Sequence, residues 1–108
     1  MLEGFLYQIV SKDDGTATVR LLAESPIYKA HFPGYPVTPG VTLVQMALEL
    51  MGRKLSGAKD IKFVTPVLPT AEGTQLRYAW TFKDANTAEV LLYLADDALC
   101  AKMSLSLQ

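Results

Sequence analysis

The sequence predicts an α+β fold: a curled antiparallel sheet of about five to six strands wrapped around one central helix. Three observations lead to it. Residues 39–56 are apolar in nearly every direction around a helical axis. Two strand-like segments precede that stretch and four follow it, each set off by turn residues. The chain has 108 residues, half of them apolar, which suffices for one core and is too short for two, so residues 1–108 are expected to form a single domain.

Residues 5–11 have strand composition, Asp13-Asp14-Gly15 reads as a tight turn, and residues 16–22 alternate with Ala17, Val19 and Leu21 on one face, which together predict a β-hairpin. Residues 24–40 are rich in proline and glycine, with Ser25-Pro26-Ile27-Tyr28 suited to a short helical turn, and read as an ordered functional loop. Thr38 stands where a helix cap is expected and Pro39 at the first helical position, where its missing N–H costs nothing. The helix should run to about Ser56. Its apolar residues Val41, Leu43, Val44, Met46, Ala47, Leu48, Leu50 and Met51 surround the axis, as an enclosed helix requires. Thr42, Gln45, Glu49 and Arg53 interrupt them along one narrow polar stripe.

Four strands follow, over residues 59–64, 75–83, 88–94 and 98–107. Pro66, Pro69 and Gly73 separate the first pair, Asp84-Ala85-Asn86 the second and Asp96-Asp97 the third. Cys100 is expected to pack within the last strand. A sheet curled round the helix is the simplest way to bury it.

A net charge of −1 argues against nucleic-acid binding, which needs a clustered excess of Lys and Arg. Arg53, Lys54, Lys59 and Lys62 against Asp60 make one small basic patch, either a solvated helix end or a surface for an acidic carrier protein. One cysteine and one histidine exclude an internal disulfide and make a metal centre improbable. The start carries Glu3 and no basic segment ahead of an apolar run, and no apolar run approaches roughly 18 residues, so neither secretion nor membrane insertion is expected, and the protein is expected to be cytoplasmic.

The segment His31-Phe32-Pro33-Gly34-Tyr35-Pro36-Val37-Thr38-Pro39-Gly40-Val41 places the only histidine just before the most apolar helix. Its prolines each fix φ at about −65° and its glycines open conformations closed to other residues, so the loop is built to hold one geometry. The pattern His-Phe-Pro-Gly-x-Pro-x-x-Pro-Gly-Val resembles the signature of the 3-hydroxyacyl-acyl-carrier-protein dehydratases, single-domain hot-dog enzymes of fatty-acid and polyketide synthesis. Ile61-Lys62-Phe63-Val64-Thr65-Pro66-Val67-Leu68-Pro69 is similar to the strand and turn after the helix in that family, so the resemblance covers about residues 16–82.

The resemblance implies the hot-dog fold and the elimination of water from a 3-hydroxyacyl thioester, carried on an acyl carrier protein or coenzyme A, with no cofactor. His31, titrating near neutral pH, suits the base. The backbone N–H of Gly40 or Val41, at the positive end of a helix, suits the enolate oxygen. Phe32, Pro39, Gly40 and Val41 are the expected substrate contacts. The resemblance also implies a homodimer, or a heterodimer with another hot-dog subunit, because in the family the histidine of one chain faces the helical acid of the other.

At the position of that acid the sequence departs from the pattern. Where the family carries glutamate or aspartate this chain has Gln45, and where it commonly carries glutamine this chain has Glu49. An amide can orient a hydroxyl or a water but has no proton to give, and losing a general acid costs about 10²–10⁴ in rate. Glu49 lies about 6 Å further along the helix. It can be a displaced acid, an i,i+4 partner of Arg53, or a hydrogen-bond acceptor for backbone groups at the dimer centre. Tyr28, Phe32, Tyr35 and Trp80 can line an acyl tunnel or serve as ordinary core aromatics. Alternatives to the dehydratase are a non-catalytic hot-dog subunit paired with an active partner, and a thioesterase.

Overall fold

The computed structural model describes residues 1–30 and 36–108. Among these residues the elements are β1 (Tyr7–Asp13), β2 (Thr16–Leu21), the single-turn helix α1 (Ile27–Ala30), the long helix α2 (Gly40–Met51), β3 (Leu55–Phe63), β4 (Gln75–Asp84), β5 (Thr87–Leu94) and β6 (Leu99–Leu107). The strands form one sheet in the order β1-β2-β4-β5-β6-β3, every neighbouring pair antiparallel. β2 pairs directly with β4, although α1, α2 and β3 intervene in sequence, and β3 joins the far edge beside β6. This is the α+β arrangement of antiparallel sheet and helix that the element order predicts, and the hot-dog fold that the resemblance implies.

Alternation along the strands sends one set of side chains inward: Ala17, Val19 and Leu21 from β2, Leu76 and Tyr78 from β4, Ala88, Val90 and Leu92 from β5, Met103 and Leu105 from β6. Against them α2 packs Leu43, Val44, Met46, Ala47, Leu48 and Leu50. Each large side chain moved out of water contributes about 1.5–3 kcal/mol, so this face holds the helix in place. A polar bond fixes its position on the sheet: the Tyr78 hydroxyl donates to the Leu43 carbonyl oxygen at 2.8 Å in the interior. Cys100 is buried in β6, as expected. Among the described residues no helix is long and apolar enough to cross a membrane.

Several boundaries differ from the sequence reading. α2 begins at Gly40, because Pro39 is extended (φ −61°, ψ 140°) and stands just outside it, and no side chain caps the helix. It ends at Met51, well short of Ser56. Gly52 takes the left-handed conformation (φ 66°), its N–H bonding the Glu49 carbonyl at 3.2 Å while the Arg53 N–H bonds the Leu48 carbonyl at 3.1 Å. That paired closure turns the chain out of the helix, so β3 starts at Leu55 instead of Lys59. β1 starts at Tyr7 because the preceding residues coil into a turn, with Gly4 at φ 83° and its N–H bonded to the Tyr7 carbonyl at 2.7 Å. Val41, expected to be enclosed, is 74% exposed.

Gly52 isolates a backbone effect, since a Cβ there would meet nothing within 4 Å. Gly52→Ala is therefore expected to destabilise the fold by about 1 kcal/mol through left-handed strain alone. Urea denaturation measures it, and an unchanged midpoint would remove this glycine as the helix terminator.

Candidate active site

His31 and Phe32, the expected base and one expected substrate contact, lie outside the described residues, as does Tyr35. The structure describes what the loop leads into. The Pro39 carbonyl accepts the Thr42 hydroxyl at 2.6 Å and the N–H groups of Thr42 and Leu43 at 3.0 and 3.3 Å. The N–H groups of Gly40 and Val41 find no acceptor among the described residues. They stand at the positive end of the α2 dipole, an arrangement that favours a developing negative charge.

Beside this helix start lies a cleft of about 400 Å³, lined by Val37, Thr38, Gly40 and Leu43 on one side and by Phe63 at the end of β3 and Val64 just after it on the other. A Cβ on Gly40 would stand 2.6 Å from the Phe63 ring, so the glycine is what lets that half-exposed ring lie against the helix. A second hollow of about 340 Å³ follows the outer face of α2, where Val41, Gln45 and Leu48 meet Lys54 and Leu55. The predicted site residues thus divide between two neighbouring hollows, Gly40 in the first, Val41 and Gln45 in the second.

Glu49 is engaged elsewhere. Its carboxylate accepts the N–H groups of Leu2 (2.8 Å) and Glu3 (3.1 Å), the Tyr7 hydroxyl (2.8 Å) and the Gln45 amide (3.1 Å). Partial burial alone pushes this carboxyl up, but the four donors together outweigh it and hold Glu49 below the ordinary carboxylate range. Tyr7, buried with its hydroxyl on a carboxylate, is pushed well above the usual tyrosine value. The expected i,i+4 pairing of Glu49 with Arg53 is not made. Arg53 instead donates to the main-chain oxygens of Gln108 (3.0 Å) and Ala85 (2.8 Å), with its guanidinium over the Phe82 ring, because the helix has ended before Arg53 and its side chain leaves the helical stripe. The basic patch is divided along β3, since Arg53 and Lys54 border the hollow beside α2 while Lys62 lies beside Asp60, Glu89 and Lys102.

Of the aromatics proposed for a tunnel, Tyr28 is buried in the core and Trp80 packs partly buried against it. Sequence reasoning missed how Thr38 is used. The hydroxyl read as a helix cap stands 2.9 Å from the Tyr28 hydroxyl, both residues buried, while the Thr38 N–H bonds the Val67 carbonyl at 2.8 Å. No local spacing signals a contact between side chains ten positions apart. The cleft wall after β3 was legible only as a family-like patch.

A family model described as ApeI-like, ApeI dehydratase, matches residues 8–103. A 3-hydroxyacyl-acyl-carrier-protein dehydratase, FabZ, of Pelotomaculum thermopropionicum is 44% identical over 41 residues, 35% of this chain and 29% of that protein. Among solved structures, the dehydratase heterocomplex ApeI:P of Xenorhabdus doucetiae superposes with a TM-score of 0.71 at 18% identity, covering 94% of this chain and 96% of the other. A variant of the thioesterase SAV0944 of Staphylococcus aureus gives 0.64 at 8% identity, over 99% and 97%. At such identities these structures establish the fold.

The Glu49 contacts carry a pH dependence. A carboxylate held below its unfolded value contributes stability that is fully present above about the ordinary 4.5 and is lost as pH falls through the lower folded value. Wild type should therefore exceed Glu49→Gln in stability at neutral pH, and the gap should close below that value. Denaturation midpoints across pH 3–7 (roughly the span a perturbed carboxyl titrates over) measure this; a gap independent of pH would mean that the charge of Glu49 contributes nothing.

Proposed function

The chain belongs to the ApeI-like dehydratase family, and on that premise we propose that it removes water from a 3-hydroxyacyl thioester to leave a trans-2-enoyl thioester. The single observation that carries the reading is the start of α2: two backbone N–H groups with no acceptor among the described residues, beside a largely apolar cleft, directly after the Pro39-Gly40-Val41 end of the histidine motif. In this reading His31 takes the proton from the carbon next to the carbonyl. The thioester oxygen gathers the resulting charge and accepts from the Gly40 or Val41 N–H. Gln45 orients the departing hydroxyl, which leaves as water by taking the proton that His31 has gathered. Its amide donates to Glu49 at 3.1 Å, which leaves its carbonyl oxygen and second N–H for that task. The substrate is an acyl group on a carrier protein or coenzyme A, in fatty-acid or polyketide-type synthesis in the cytoplasm, and a second hot-dog subunit, identical or not, completes the assembly.

A second reading has its own support. Gln45 lacks a proton to donate, and the chain superposes on a protein from a dehydratase heterocomplex. On this reading the chain is a non-catalytic subunit that pairs with an active hot-dog partner. Thioester hydrolysis is the weaker alternative, since Glu49, the carboxylate nearest in sequence to the motif along α2, is held by the turn before β1.

Hydration of a crotonyl thioester and dehydration of its 3-hydroxy counterpart separate these readings. His31→Ala should lower the rate by at least about 10²-fold. Gln45→Glu would set a second carboxylate against Glu49, raising the pKa of one of them and creating a proton donor, so the rate should rise by about 10-fold or more. An unchanged rate in both variants would remove these residues from the chemistry. Activity present only with a co-purified partner, and insensitive to His31→Ala, would select the non-catalytic reading.

A further inference from the structure

We propose that Thr38 is a ligand-binding residue: its hydroxyl, held from behind by Tyr28, donates a hydrogen bond to an oxygen of the acyl group lying in the cleft at the start of α2. The proposal rests on the thioester reading of that cleft and adds to it a side chain and a positioning residue.

Thr38 is 3% exposed and Tyr28 5%, and their hydroxyl oxygens are 2.9 Å apart. Two hydroxyls bring two hydrogens to the one bond between them, so one O–H is left over. Either atom can serve as the donor by distance and angle, and their surroundings decide between the two arrangements. Thr38 lines the cleft, whereas Tyr28 stands behind it among core side chains. Were Thr38 the donor, the leftover hydrogen would sit on Tyr28, buried and without an acceptor among the described residues. A buried donor left unpaired bears its full desolvation penalty. With Tyr28 as donor, the leftover hydrogen lies on Thr38 at the cleft wall, where a ligand oxygen or a water can take it. This second arrangement is the one that leaves neither group stranded. Burial raises the Tyr28 pKa against the opposing effect of the Thr38 bond, so the donor keeps its proton.

The Thr38 hydroxyl is also fixed in place. Tyr28 holds its oxygen, and the bond from its N–H to the Val67 carbonyl, at 2.8 Å, pins its backbone to the irregular chain after β3 on the other side of the cleft. Thr65 brings another hydroxyl to the cleft, but it already donates to the Leu99 carbonyl at 3.1 Å. The remaining lining side chains are apolar. A hollow of that composition, in which Thr38 is the one side-chain donor left over and a helix-start N–H lacks an acceptor among the described residues, suits an apolar chain bearing one or two oxygens. The described lining residues give a charged headgroup no counter-ion.

The test uses the intact chain with butyryl-pantetheine and 3-hydroxybutyryl-pantetheine, titrated calorimetrically, alongside turnover of the second. Thr38→Val keeps the shape and removes the hydroxyl, and is expected to weaken binding by about 3- to 10-fold, while Thr38→Ser retains wild-type affinity. Because Thr38→Val also leaves the Tyr28 hydroxyl unpaired, the double variant Tyr28→Phe with Thr38→Val is the decisive control. Free of any stranded hydroxyl, it should recover the melting temperature that Thr38→Val loses and still bind weakly. Affinity that returns with stability, or never falls, overturns the proposal. A loss confined to the 3-hydroxy probe assigns the 3-hydroxyl oxygen, and a loss for both assigns the carbonyl. Wild type that binds the probes without turnover, with Thr38→Val still weaker, sustains this role and removes dehydration; wild type that binds neither probe removes both.

Discussion

The burial of α2 against the inner face of a single curled sheet is the contact on which the remaining structure depends. With only one sheet and one long helix, every apolar side chain of α2 must be covered by strands, and six of them are. The polar stripe then has to be satisfied within reach of the helix, because polar groups taken from water without partners are costly. Thr42 uses the Pro39 carbonyl, Gln45 uses Glu49, and Glu49 gathers the turn before β1. The first turn is covered on one side only, where Phe63 lies against Gly40 and Tyr78 bonds Leu43. The N–H groups without an acceptor among the described residues, the exposed Val41 and the first hollow occur there, and the second hollow runs from Val41 along the outer face of α2 to Leu55, so the chemically available surface is the part of the helix that the sheet leaves uncovered.

The exchange of acid and amide along α2 alters more than a proton count. A carboxylate at position 45 would face the hollow, whereas one at position 49 faces the turn before β1 and is held charged by four donors. Moving the charge by one helical turn converts it from a group that can meet a ligand into one that ties two parts of the chain together. Neutral donors remain to handle ligand oxygens, and each contributes less than an ionised group would.

Much of the fold was legible because its signals are local. Alternation in β2 and β5, the acidic turns, and an all-round apolar helix each report their own environment, and their order leaves few topologies. The end of α2 was misread because Arg53, Lys54 and Leu55 are good helix formers, and Gly52 alone, through its left-handed conformation, overrides them. The places of Gly40, Val41 and Gln45 on α2 could be read from the helical pattern, and their expected roles came from the family resemblance. The partners of Glu49 could not. Leu2, Glu3 and Tyr7 are more than forty residues away in sequence, and main-chain donors carry no side-chain signature. The Tyr28 and Thr38 contact was hidden for a similar reason.

The strand order has a consequence for how the molecule is made. β3 is finished long before β6, yet β6 is the neighbour to which it bonds, in the sheet position between β5 and β3. During synthesis the greasy face of α2 and the whole of β3 emerge from the ribosome ahead of their cover, and they stay uncovered until the closing strand arrives. Long-range pairing of this kind is slow and leaves sticky surface in the nascent chain. The polar groups that stud β3, Lys59, Asp60 and Lys62, and the two slips in its register against β6 make it a poor template for a stranger while it waits.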